Sequence, residues 1–200
     1  MNEISKVQSY PRRTTQEAEG LPRYKWSVEQ FDKLAEHGFF SEKDRIELIG
    51  GELVPMSPKG NRHELVRDEL QDFLIRRLPT GVKLSSEIGW RPDAHNYLEP
   101  DIMLYPKGFF GNSVLPTQAL LVIEVSDSSL RYDLDRKAKI YAGLGVREYW
   151  GVDANTLQTR VHLEPAGEGY GKDSDHQKDE TLTPTLLPAL AVSLGALKFG

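Results

Sequence analysis

Two hundred residues, 38% of them hydrophobic, suffice for one cored domain and are too few for two comfortable ones. No cysteine is present, which excludes disulfide stapling, zinc thiolate sites and a cysteine nucleophile, and fits a reducing, cytoplasmic setting. A formal net charge of -5 argues against a coat-like nucleic-acid binder, which must neutralise phosphates with a basic surface, but not against an enzyme using a metal ion and a local basic strip.

In chain order, residues 1–22 are polar, aperiodic and end in Gly20 and Pro22, so a mobile tail is expected there and a single domain over 23–200. No stretch has the apolar length of a signal peptide or a membrane span, so a soluble protein with no membrane partner is expected. In "SVEQFDKLAEHGFF", Ser27 and Gln30 have the spacing of a capping box, Phe31, Leu34 and Ala35 make a helical stripe, and Gly38 closes it. "RIELIGGELVPM" predicts a hairpin turning at Gly50-Gly51. "NRHELVRDELQDFLIRRL" predicts an amphipathic helix with Val66, Leu70, Phe73 and Leu74 inward. Strands are expected at about 82–89, 99–105 and 119–125, followed by a helix in "RYDLDRKAKIYAGLG" with Asp133 as its cap. "VREYWGVD" and "LQTRVHLEP" read as a strand pair, residues 165–181 as a loose hairpin tip, and "LLPALAVSLGALKF" as an apolar ending. This order predicts an α/β fold: one mixed β-sheet flanked by helices.

Two strands carry acids among hydrophobes, Asp101 in "LEPDIMLY" and Glu124 in "LLVIEVS". A carboxylate buried alone is costly, so each needs a cation, a set of donors, or an edge facing water. If the strands are neighbours the two acids converge, and hard divalent cations such as magnesium take oxygen ligands of this kind. The alternative is two separate strand-end acids, solvated or paired with Arg131 or Arg147. In the next helix Leu134, Ala138 and Tyr141 define an inward stripe on which Lys137 also falls; its ammonium either snorkels to the rim or points at the acids. His63 lies at the inward edge of its helix's first turn, as a semi-buried histidine or a proton carrier. Glu47 faces opposite to Ile46 and Leu48 and becomes a third carboxylate if the site lies on that side, whereas Glu52 after the turn reads as solvated. No Gly-rich phosphate loop, HExxH helix or GxSxG elbow is present.

Pro100-Asp101, then "IEV", then a helix bearing a lysine, resembles the PD-(D/E)XK nuclease superfamily. More closely, "RIELIGGELVPMSP", His63, "EPDIML", "VIEVSDSSLRYDLDRKAKIYAGLGVREYWGVD" and the apolar ending resemble the Uma-two family of restriction-endonuclease-like proteins. The resemblance implies the restriction-endonuclease-like core, a mixed sheet with helices on both faces. It also implies magnesium, with manganese as a substitute, on Asp101, Glu124 and the backbone carbonyl of Val125. Where the superfamily expects lysine this chain has Ser126, and Lys137 occupies the place to which the lysine has moved in a variant of the motif. The implied reaction is phosphodiester hydrolysis, in DNA first of all, with His63 and Glu47 beside the ligands. Arg62, Arg67, Arg131 and Arg136 offer a basic strip for the nucleic-acid backbone, and two-strand cutting calls for a C2 homodimer. The competing readings are a nuclease fold that no longer cuts and serves as a binding or assembly module, and hydrolysis of another phosphoester.

Overall fold

In the computed structural model, residues 23–41, 44–56, 58–127, 130–167 and 169–199 are described, the side chains of 130–134 excepted. The tail expected over residues 1–22 lies outside them. Helix α1 (Val28–Glu36) starts where Ser27 Oγ accepts the Gln30 N–H at 3.2 Å and Gln30 Oε1 accepts the Ser27 N–H at 2.9 Å, the reciprocal cap predicted from the sequence. Strands β1 (Ile46–Ile49) and β2 (Glu52–Pro55) form the expected hairpin, and Gly50 and Gly51 take φ values of 58° and 84°, the region a two-residue turn needs. Helix α2 (Asn61–Ile75) buries Val66, Leu70 and Leu74.

Then come β3 (Val82–Ser86), β4 (Trp90–Asp93), β5 (Asn96–Leu98), β6 (Ile102–Pro106), β7 (Leu121–Ser126), α3 (Leu130–Leu144), β8 (Glu148–Asp153), β9 (Thr159–Ala166) and β10 (Gly169–His176). A mixed six-stranded sheet runs β10-β9-β8-β7-β6-β3, with β7 and β8 parallel and the other neighbours antiparallel. The single sheet expected from the sequence is supplemented by a second one, ordered β2-β1-β5-β4. Its hidden half is the β4–β5 hairpin in "WRPDAHNYL", where Pro92 and the polar turn mask the strands. There Asp93 accepts hydrogen bonds from His95 N–H and the Asn96 amide at 2.8 Å, while Asn96 Oδ1 accepts the Gly50 N–H at 2.8 Å and stitches the two hairpins together.

Two further expectations are corrected. Helix α3 begins at Leu130, so Asp133 lies within it instead of capping it; the Asp133 side chain is outside the described ones. The loose tip is β10, paired with β9 from Gly169 to His176. As the sheet's edge it carries Lys172, Asp173 and Asp175, and charge on an edge strand discourages pairing with other chains.

The strand alternation divides the core. Ile102, Leu104, Leu121, Ile123 and Val125 pack toward α2 and the closing segment (Leu187, Leu190, Val192, Leu194), while Met103, Tyr105 and Val122 pack toward Ala138 and Tyr141 of α3. Each such buried aliphatic side chain contributes roughly 1.5–3 kcal/mol. Glu124 has the parity of Val122 and so belongs to the α3 face, whereas Asp101, the residue just ahead of β6, is met by His63 of α2. Among the described residues no helix is long and apolar enough to cross a membrane.

Candidate active site

Strands β6 and β7 pair Ile102 with Ile123, so continuing that register by one residue sets Asp101 opposite Glu124. Asp101 is 2% exposed and engaged through both oxygens: Oδ2 accepts the Val125 N–H at 2.8 Å and the His63 Nε2 hydrogen at 3.0 Å, and Oδ1 accepts from Lys59 Nζ at 2.8 Å. Burial opposes ionisation of Asp101, but His63 and Lys59 outweigh it and hold the carboxyl well below the usual carboxylate range.

Glu124, 8% exposed, accepts from the Tyr141 hydroxyl at 2.6 Å and lies 3.3 Å from Lys137 Nζ through the same Oε1. Burial pushes its carboxyl up to about 7; Lys137 opposes the shift, and the negative charges of Asp101 and Glu47 add to it. Lys137 Nζ lies 2.6 and 2.7 Å from the two oxygens of Glu47, whose Oε1 also accepts the Glu99 N–H at 3.0 Å. Burial would strip the Lys137 proton, but Glu124 and Glu47 outweigh it and hold the ammonium above the ordinary lysine range. The Tyr141 phenol is raised well above its usual range by burial and then by Glu124, so it remains a donor.

A pH dependence follows. The folded Glu124 carboxyl titrates near 7 and the ordinary value is 4.5, so between these the folded protein holds a proton that the unfolded chain has lost. Stability of the metal-free protein therefore falls as pH rises through that window and levels off above it. Glu124→Gln removes the penalty: urea unfolding in chelator should find the variant more stable than wild type at pH 8, by up to about 3 kcal/mol, and equal at pH 4.

Except for the fully buried Tyr141, these groups line an open-mouthed cavity of about 190 Å³, together with Ser126, Asp127 and Arg136. Of the residues singled out from the sequence, Asp101, Glu124, Val125, Lys137, His63 and Glu47 are brought together here, whereas Glu52 pairs with Arg23 at 2.7 Å outside the cavity. Two of the arginines expected to hold a substrate backbone are placed otherwise. Arg62 donates through Nε to the Ala154 carbonyl at 2.9 Å with its guanidinium over the Phe199 ring. Arg67 is 8% exposed and paired with Glu64, Asp68 and Glu87, so its charge is spent within the protein. The Arg131 side chain lies outside the described ones.

Sequence reasoning missed Lys59 and its partner Glu87, and gave Tyr141 only a packing role. For Tyr141 a signal existed: a tyrosine on a buried stripe needs an acceptor for its hydroxyl. Lys59, in the irregular stretch before α2, has no periodicity to mark it.

Among the described residues no three Asp, Glu or His side chains form a ready ligand set by themselves. Asp101 and Glu124 nevertheless bring two hard oxygen donors to one cavity, where burial makes an ionised Glu124 costly and a cation would relieve that cost. Magnesium takes one or two protein carboxylates and completes its shell with water and phosphate oxygens, so this donor set fits it.

The family model described as Uma2, "Putative restriction endonuclease", matches residues 28–195. Among solved structures, the chain is similar to one described as a putative nuclease belonging to DUF820 from Anabaena variabilis, with a TM-score of 0.63 and 14% identity over 84% of this chain and 95% of that one. At that identity the likeness shows the shared fold. Among curated proteins none matches.

Proposed function

We propose, from the premise that this chain belongs to the Uma2 family of putative restriction endonucleases, that it hydrolyses phosphodiester bonds in DNA as a divalent-metal-dependent endonuclease. The observation that carries this reading is the convergence of Glu124 from β7 and Asp101, the residue just ahead of β6, on a cavity where Lys137 bridges Glu124 and Glu47. Asp101 and Glu124 would hold magnesium or manganese, with the Val125 carbonyl as the third protein ligand that the family resemblance implies. When bound, the ion polarises a phosphate oxygen and lowers the pKa of a coordinated water.

The chain's own residues divide the remaining work. His63 and the Val125 N–H fix the orientation of Asp101, so His63 acts by positioning. The Tyr141 hydroxyl does the same for Glu124. Glu124 and Glu47 hold the proton on Lys137, and an ammonium there is suited to orient the attacking water or to stabilise charge building on the phosphate. Glu47 holds that ammonium in place through both oxygens. Arg136, at the cavity, is the basic residue best placed to meet the substrate backbone. Two-strand cutting would require a C2 dimer, and the cysteine-free chain suits the cytoplasm.

The test is incubation of the wild type with supercoiled, linear and single-stranded DNA and with RNA, in magnesium, manganese or chelator. Endonucleolytic cutting of DNA that requires the cation is expected. Absence of cutting on every substrate would assign the fold to a binding or assembly module, and preference for RNA would overturn the DNA assignment.

A further inference from the structure

Lys59 belongs to no motif and is 11% exposed in its side chain, yet its ammonium is shared between two carboxylates, Asp101 Oδ1 at 2.8 Å and Glu87 Oε1. The two oxygens of Asp101 are not equivalent. Oδ2 is taken by the Val125 N–H and His63, whereas Oδ1 is held by Lys59, so the oxygen left for a cation is the one that the lysine occupies. We infer that Lys59 is a displaceable internal counter-ion: it neutralises Asp101 in the metal-free protein and shifts wholly to Glu87 when a divalent ion takes Oδ1. The inference rests on the reading of Asp101 as a metal ligand.

Each part of the device has a physical reason. A buried carboxylate awaiting its metal is costly without a cation, and Lys59 supplies one. Once a divalent ion is on the same oxygen, like-charge repulsion expels the ammonium, which would be as costly to strand as the carboxylate it left. Glu87 prevents this by offering a seat that Lys59 already touches. That seat is anchored: Arg67 Nη1 stands 2.6 Å from Glu87 Oε2, Arg45 Nη2 lies 3.9 Å from Oε1, and the Glu87 N–H donates to the carbonyls of Pro100 and Asp101 at 3.1 and 3.3 Å. Glu87 also has a φ of 50°, a left-handed conformation that side-chain-bearing residues rarely keep unless their surroundings enforce it. Arg67 therefore serves the site from behind, anchoring the acid that receives Lys59.

The inference predicts opposite signs for two neutralising substitutions. Calorimetric titration with Mn2+ should find Lys59→Met binding about tenfold tighter than wild type, because a competing charge is gone. Glu87→Gln should bind several-fold more weakly, because the second seat is lost. In the double variant the Glu87→Gln effect should shrink, since no lysine remains to be seated. If wild type binds Mn2+ while Lys59→Met binds no tighter, or if Glu87→Gln has the same effect with and without Lys59, the counter-ion role is overturned and the metal site stands. If neither wild type nor Lys59→Met binds Mn2+, both being folded by circular dichroism, the metal reading falls and takes the inference with it. Lys59→Gln, which keeps a donor for Asp101 without the charge, makes the same comparison should the methionine variant not fold.

Discussion

Asp101→Asn should lower metal-dependent DNA cleavage by about a thousandfold or more, the scale on which removing a central electrostatic group acts. The substitution is nearly isosteric, and the amide oxygen can still accept the Val125 N–H that now reaches the carboxylate at 2.8 Å. What disappears is the charge that draws in a cation and the ionised oxygen that ligates it. Lys59 loses one of its two partners but keeps Glu87, so no ammonium is stranded and the variant should fold. The measurement is the initial rate of plasmid nicking at saturating magnesium, beside Mn2+ calorimetry. A rate within tenfold of wild type would remove Asp101 from the reaction.

Lys137→Met should act on both activity and stability. Cleavage is expected to fall about a hundredfold to ten-thousandfold, since the ammonium that orients water or meets the phosphate is gone. Stability should fall by roughly 3 kcal/mol, because Glu47 and Glu124 are left buried with no cation between them. The sign of its pH dependence is fixed by Glu124. Burial already raises the Glu124 carboxyl to about 7, so at pH 5 it is protonated and needs no cation while at pH 8 it is ionised and does, and urea unfolding in chelator should show a larger loss at pH 8 than at pH 5. An equal loss at both would mean that the methionine merely packs badly.

Features with local signals were legible in the sequence. The Ser27/Gln30 box, the Gly50-Gly51 turn and the inward stripe of α2 each depend on a few neighbouring residues, and each was found where expected. The β4–β5 hairpin was not legible, because Trp90 and Leu98 bury their side chains only after the chain returns beside β1. Nor was β10, whose side chains from Gly171 to Asp175 are exposed and whose strand character comes from backbone pairing with β9. The same division runs through the cavity. Asp101 and Glu124 were conspicuous because acids in apolar strands demand a partner, and Lys137 because its position on an inward stripe points it somewhere specific. For Arg62 and Arg67 a charge pattern on a helix does not say whether the partner is a phosphate or a group of the protein itself, and the structure engages Arg62 with the Ala154 carbonyl and Arg67 with three acids. Lys59 and Glu87 could not be found at all: their pairing bridges a segment before α2 and one after β3, and nothing local in either marks it.

The decisive measurement is a magnesium titration of supercoiled-plasmid nicking by wild type and Asp101→Asn in parallel. Cutting by wild type that saturates with magnesium and stops in chelator is expected, with no response from the variant. Nicking by wild type that persists in chelator, or equal magnesium dependence in both proteins, would contradict metal-dependent cleavage at Asp101.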